Sequence, residues 1–104
     1  MVIDQQELEL SAQILRAIAH PLRMRILSFI DGHKSINVNK IYTSLGLEQS
    51  ITSQHLRILR NAGLVRTERD GKFVKYSIDY SRMRTAGGAV QQFLSIEMGA
   101  QSAA

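Results

Sequence analysis

Apolar positions recur at helical spacing over most of the chain and switch to a two-residue alternation in one short stretch. Leu8, Ile14, Leu15 and Ile18 mark a first helix over 5–19. Pro21, the only proline, follows His20 and suits the first turn of a helix, where its missing N–H costs nothing. A second helix therefore runs from there to about Ile30, with Leu22, Ile26, Leu27 and Ile30 turned inward, and Asp31-Gly32 ends it. Ile36 opens a short extended piece, and Asn37 is placed to cap a third helix, Val38 to Leu45. Gly46 supplies a left-handed stop. A fourth helix, Glu48 to Ala62, follows and halts at Gly63.

Leu64–Arg69 and Phe73–Ile78 read as strands joined by a turn at Asp70-Gly71. From Tyr80 to Met98 the helical period returns, with Met83, Val90, Phe93, Leu94 and Glu97 in its pattern. Gly87-Gly88 inside that stretch weakens the helix by about 1 kcal/mol per glycine. The expected fold is mostly α with a small β-hairpin: one domain over 1–104, a winged helix-turn-helix. Residues 38–62 form the helix pair and 64–78 the wing.

The fourth helix has two unlike faces. With Thr52 at zero and about 100° per residue, Leu56, Leu59 and Gly63 fall within about 40° of it. Ile51, Ile58 and Ala62 widen that apolar arc. Ser50, Ser53, Gln54 and Arg57 gather opposite, with Gln49 and Arg60 at the edge. Gln, Ser and Arg are the side chains that read base edges: Arg pairs with guanine O6/N7 and Gln with adenine N6/N7. A helix-turn-helix that presents such a face is a device for the DNA major groove. An ordinary amphipathic surface helix would show a similar wheel; the adjoining turn and hairpin favour DNA.

Two readings of His55 stay open, a packing residue or a rim contact to phosphate or base. His20 reads as a helix-start residue and His33 as a solvated loop residue. Arg66, Arg69, Lys72 and Lys75 on the hairpin suit phosphate contacts, which fix register but carry no sequence information.

Charge sharpens this picture. The chain of 104 residues carries a formal +4 with a pI near 9.9. Residues 57–84 hold eight basic side chains against three acidic ones, while the first nine residues hold Asp4, Glu7 and Glu9 and no base. A basic centre is an electrostatic footprint for a polyanion. There is no cysteine, which removes disulfides, thiolate metal sites and thiol redox sensing. No apolar run reaches the roughly 20 residues of a membrane span, and the acidic start is unlike a secretory signal, so a cytoplasmic protein is expected.

The segments Ala17-Ile-Ala-His-Pro-Leu-Arg-Met-Arg-Ile-Leu, Gln49-Ser-Ile-Thr-Ser-Gln-His-Leu-Arg-Ile-Leu and Asn61-Ala-Gly-Leu-Val together resemble the ArsR/SmtB family of bacterial winged-helix repressors. The resemblance spans roughly residues 8–95. It implies a homodimer through the first and last helices (5–19 and 80–98) and a palindromic operator of double-stranded DNA. It also implies that Gln49, Ser50, Ser53 and His55 face that DNA. Thr52 stands where the family usually has a β-branched aliphatic residue, so its hydroxyl is expected to bond back to a carbonyl.

The departures concern metals. Family sensors often carry cysteines in the third helix, which here reads Val38-Asn-Lys-Ile-Tyr-Thr. Others bind metal through the last helix with Asp, His and Glu. Here that region reads Asp79-Tyr-Ser-Arg-Met-Arg, without histidine. Asp79 and Glu97 alone make a poor transition-metal site. No metal site and no cofactor are expected. The isolated methionines read as core.

These observations converge on a sequence-specific DNA-binding transcriptional regulator, a homodimeric repressor. The candidate contacts are Gln49, Ser50, Ser53, Gln54, His55, Arg57, Arg69, Lys72 and Lys75. A winged helix serving as a protein-interaction module is the alternative; it calls for an apolar outward face. No paired carboxylates, nucleophile–base constellation or phosphate-binding glycine loop points to an enzyme. Three modes of control stay open: a small-molecule inducer held between helices, a protein antagonist, or constitutive binding set by abundance.

Overall fold

The computed structural model describes residues 4–88, 90 and 91. Its elements are α1 (Gln5–Ile18), α2 (Pro21–Asp31), β1 (Ile36–Asn37), α3 (Val38–Leu45), α4 (Gln49–Asn61), β2 (Val65–Asp70) and β3 (Phe73–Ile78). The chain is helical again over 80–88 and at 90 and 91, designated α5. Phe93, Leu94, Glu97 and Met98, which the periodicity assigns to the end of this helix, lie outside the described residues.

The starts of α1, α2 and α3 have a local cause, whereas α4 begins at Glu48 without a side-chain cap. Asp4 accepts the Gln6 amide at 3.0 Å. His20 Nδ1 accepts the Leu22 amide at 3.2 Å, and Pro21 follows as the first helical residue. Asn37 accepts the Lys40 amide at 2.9 Å. These bonds satisfy amides that the first turn of a helix leaves without partners. At the end of α3, Gly46 takes φ 67°, where a side chain would be strained. The Leu47 amide then bonds back to Tyr42 O at 2.9 Å, which turns the chain sharply into α4.

The extended piece at Ile36 pairs with the hairpin. It makes an antiparallel sheet in the order β1-β3-β2, with Ile36 opposite Tyr76 and Asn37 opposite Lys75. The strand β2 runs one residue later than its pattern suggested. Leu64 still belongs to the exit from α4, its amide bonded to Leu59 O at 3.0 Å. Asp70 pairs with Phe73, so the two-residue loop is Gly71-Lys72 rather than Asp70-Gly71. Gly71 has φ 63° and Lys72 has negative φ, the arrangement of a type II′ turn with glycine first.

The core gathers one face of every element. Ile14, Ile26, Ile30, Ile41, Leu56, Leu59 and Leu64 are fully buried, and Ala86 brings α5 onto them. The second helix buries Ile26, Leu27 and Ile30 as its pattern requires, with Leu22 half-buried against them. The first helix is divided: Ile14 and Ala17 face inward, whereas Leu8 (46%) and Leu15 (37%) stay exposed. His33 is not merely solvated. Its Nδ1–H donates to Phe29 O at 2.8 Å and its ring lies 4.6 Å from the Phe29 ring, which closes the end of α2.

Candidate nucleic-acid interface

Packing against the core fixes which side of α4 faces out. Thr52, Leu56 and Leu59 are wholly buried. The Thr52 hydroxyl donates to Glu48 O at 2.9 Å, so the one polar group on the inward face is satisfied within its own helix. Ile51 (39%) and Ile58 (42%) are exposed rather than part of the apolar seam. They lie about 100–120° round the helix from Thr52, beyond the reach of the core.

On the outward side Gln49, Ser50, Gln54 and Arg57 are exposed and Ser53 is half-buried. Among the described residues none of these five side chains hydrogen-bonds or ion-pairs with the rest of the chain. They form a ridge of small and hydrogen-bonding groups on a helix whose other side is anchored.

His55 sits at the boundary, and its neighbours were not legible from spacing. Its ring lies 4.8 Å from that of His20 and its Nδ1 is 3.3 Å from Arg23 Nη1. Arginine only donates, so Nδ1 is the acceptor and the proton of the neutral ring is on Nε2. Burial, followed by the charges of His20 and Arg23, pushes the His55 pKa below its ordinary value. Arg23 also donates through Nε to Ala17 O at 2.6 Å and through Nη2 to Arg16 O at 3.3 Å. One guanidinium thus caps the end of α1 while it touches α4. His55 thus packs against His20 and Arg23, and its Nε2 edge is where any further contact would be made.

The hairpin's basic residues do not form one set. Arg66 pairs with Asp79 at 3.1 Å and Lys75 with Asp70 at 3.0 Å. Arg69 and Lys72 are exposed without an ion-pair partner among the described residues. Strand alternation also separates them. Arg66, Glu68 and Asp70 oppose Ser77, Lys75 and Phe73, while Arg69 opposes Val74 on the other face of the ribbon. The uncompensated positive charge of the wing therefore lies near its tip.

A model of the arsR family of bacterial regulatory proteins matches residues 20–67, which run from the cap of α2 into the first strand of the hairpin. The transcriptional repressor PagR of Bacillus anthracis is 40% identical over 77 residues, 74% of this chain and 77% of that protein. The chain belongs to the ArsR family. The PagR crystal structure superposes with a TM-score of 0.71 at 32% identity, covering 86% of this chain and 99% of that one. An ArsR-like regulator from Rhodococcus shares the fold at a TM-score of 0.83 and 17% identity, covering 91% of this chain and 89% of that one. A homodimeric winged helix-turn-helix DNA-binding domain from Mycobacterium bovis gives 0.68 at 26% identity, covering 88% and 85%.

Within this ArsR-family chain Asp79 has a structural task. Its Oδ1 accepts the Ser81 amide at 3.1 Å, the Ser81 hydroxyl at 2.6 Å and the Arg82 amide at 3.3 Å, which caps α5. Its Oδ2 takes Arg66. The Ser81 hydroxyl bond, then the Arg82 amide and Arg66, hold its pKa down at about 2. A carboxylate depressed in the fold stabilises it above the unfolded-state value and loses that contribution as pH falls toward the folded-state value. Acid unfolding curves between about pH 4 and 2 should therefore be flatter for Asp79→Asn, which keeps a cap but removes the charge. An unchanged acid limb would show that the ionised Asp79 carboxylate adds nothing to stability. Among the described residues no group of three or more His, Cys, Asp or Glu could hold a metal ion. No described helix is long and apolar enough to cross a membrane.

Proposed function

We propose that this ArsR-family chain is a sequence-specific DNA-binding transcriptional regulator, a homodimeric repressor acting in the cytoplasm on a palindromic operator. One observation carries the reading: α4 keeps a ridge of unpaired Gln49, Ser50, Gln54 and Arg57 in solvent while its opposite side is locked in the core. Such a ridge can enter a major groove and offer donors and acceptors to base edges. Ser53 and the Nε2 edge of His55 flank it. Arg69 and Lys72 supply phosphate contacts from the wing, and Lys75, its charge offset by Asp70, adds to them more weakly. A protein-interaction module would present an apolar ridge instead.

The dimer is supported by Leu8 and Leu15 on α1 and Val90 (38%) on α5, apolar side chains left exposed on the two helices by which the family resemblance implies pairing. Two copies of α4 about one duplex turn (~34 Å) apart would then read two half-sites. PagR is named a transcriptional repressor, which supports repression here.

Selection of bound fragments from random DNA by the purified chain tests this. Enrichment of an inverted repeat with half-sites about one helical turn apart is the expected result. Recovery of no motif would sink the reading. On the recovered operator, Lys72→Ala should weaken all sequences alike and reduce the slope of log K against log salt by about two, one phosphate contact for each subunit of the dimer. A loss confined to the operator would instead make Lys72 a base contact.

A further inference from the structure

A cavity of about 340 Å³ lies away from the α4 ridge, where α1, α2, β3 and α5 meet. Its walls are mainly apolar: Ile18, Met24, Leu27, Ile78 and Met83. The volume falls in the range of small-molecule sites, about 300–1,000 Å³, and two methionines give walls that adapt to a guest. The polar part of its lining has one sign. Asp31 stands at the last position of α2, and no basic residue occupies that last turn. The carbonyl end of a helix already carries partial negative charge, which the Asp31 carboxylate reinforces. Among the described residues no cation pairs with Asp31; its Oδ1 accepts only the Tyr80 hydroxyl, at 2.6 Å. Tyr80 lines the same cavity, and a tyrosine ring attracts cations.

We propose that this cavity binds a small hydrophobic cation, an aryl- or alkylammonium ion, with its charge at Asp31 and its apolar body against Met24, Leu27 and Met83. An anion would meet the carboxylate and the α2 C-terminus. A neutral hydrocarbon would leave both unanswered. The guest would touch α1 and α5, the helices assigned to the dimer, and Ile78 at the root of the wing. It is therefore placed to favour one arrangement of the two DNA-binding units over another. That such binding alters DNA affinity rests on the regulatory reading above; that the cation binds does not.

The test is isothermal titration calorimetry of the full chain with benzyltrimethylammonium, benzyl alcohol and phenylacetate, on wild type and Asp31→Asn. Asp31 is exposed, so this variant should fold, and its circular dichroism melt checks that. Saturable binding of the ammonium ion, at least tenfold tighter than the alcohol or the acid and at least tenfold weakened in Asp31→Asn, is expected. Equal binding of all three compounds overturns the proposal, as does unchanged affinity in Asp31→Asn. Absence of binding in a chain that sedimentation shows to be dimeric would mean that the second copy fills the hollow, and overturns it too. Met24→Arg, which places a fixed cation at the rim, should block the ion without lowering the melting temperature. DNA binding is measured separately on the same preparations. A chain that takes the cation but no DNA keeps this site and loses the regulatory reading; the opposite pattern does the reverse.

Discussion

Leu56→Ala is expected to lower the free energy of unfolding by about 3 kcal/mol, the largest stability effect foreseen on α4. Leu56 is fully buried and sits at the centre of the inward face, between Thr52 and Leu59. Truncation removes three methylene-sized groups from water-free surroundings and leaves a void that the elements packed on α4, α2 and α3 among them, close only in part. The residues on both sides of it, His55 and Arg57, belong to the rim and the outward ridge, so the same variant separates folding from recognition. Urea unfolding should show a lower midpoint with an unchanged slope. DNA binding measured well below the new melting temperature should stay within a few-fold of wild type. A loss under 1 kcal/mol would mean that the core collapses around the gap. A large loss of DNA affinity in a folded sample would mean that the ridge depends on fine packing beneath it.

That separation of faces is also why so much of the architecture is legible in the amino-acid sequence. The periodicity of α2, the Thr52-Leu56-Leu59 seam of α4 and the cap signals at Pro21, Asn37 and Gly46 are short-range properties, each decided by a few neighbouring residues, and each reappears in the fold. The carbonyl bond of Thr52 belongs to the same class, since it spans one helical turn. Where the partner lies far off in sequence, the pattern was silent. Nothing local says that Arg23 reaches the last carbonyls of α1 and also His55, 32 positions away. Nothing local says that Tyr80 bonds Asp31, 49 positions away. A count of basic residues likewise overstated the wing, because it could not show that Arg66 and Lys75 each meet a carboxylate. The periodicity of α4 misjudged Ile51 and Ile58 for a related reason: hydrophobicity marks a residue's preference, whereas burial requires an element on that side to cover it.

Arg57→Ala should produce the largest change in recognition. Arg57 is exposed on the middle of α4, free of ion pairs among the described residues, and flanked along the helix by Ser53 and Gln54, the positions four and three before it. Those neighbours share its face. A small residue at Ser53 leaves room for the guanidinium to approach a groove floor, where its fork matches the O6 and N7 of guanine. Loss of such a bidentate contact costs about 1–3 kcal/mol, roughly 5- to 150-fold in affinity, for each half-site, and the cost falls on one base pair of each. The expected signature is therefore selective. Titrations should show operator affinity dropping while random-sequence affinity falls far less, and base preference should relax at a single position. Lys72→Ala gives the contrasting pattern of uniform weakening, so the two variants compared at one salt concentration distinguish base reading from phosphate contact. Identical curves for wild type and Arg57→Ala on operator and random DNA would remove Arg57 from the reading set. The ridge would then have to act through Gln49, Ser50 and Gln54, whose shorter, uncharged side chains predict a preference for adenine and a shallower salt dependence.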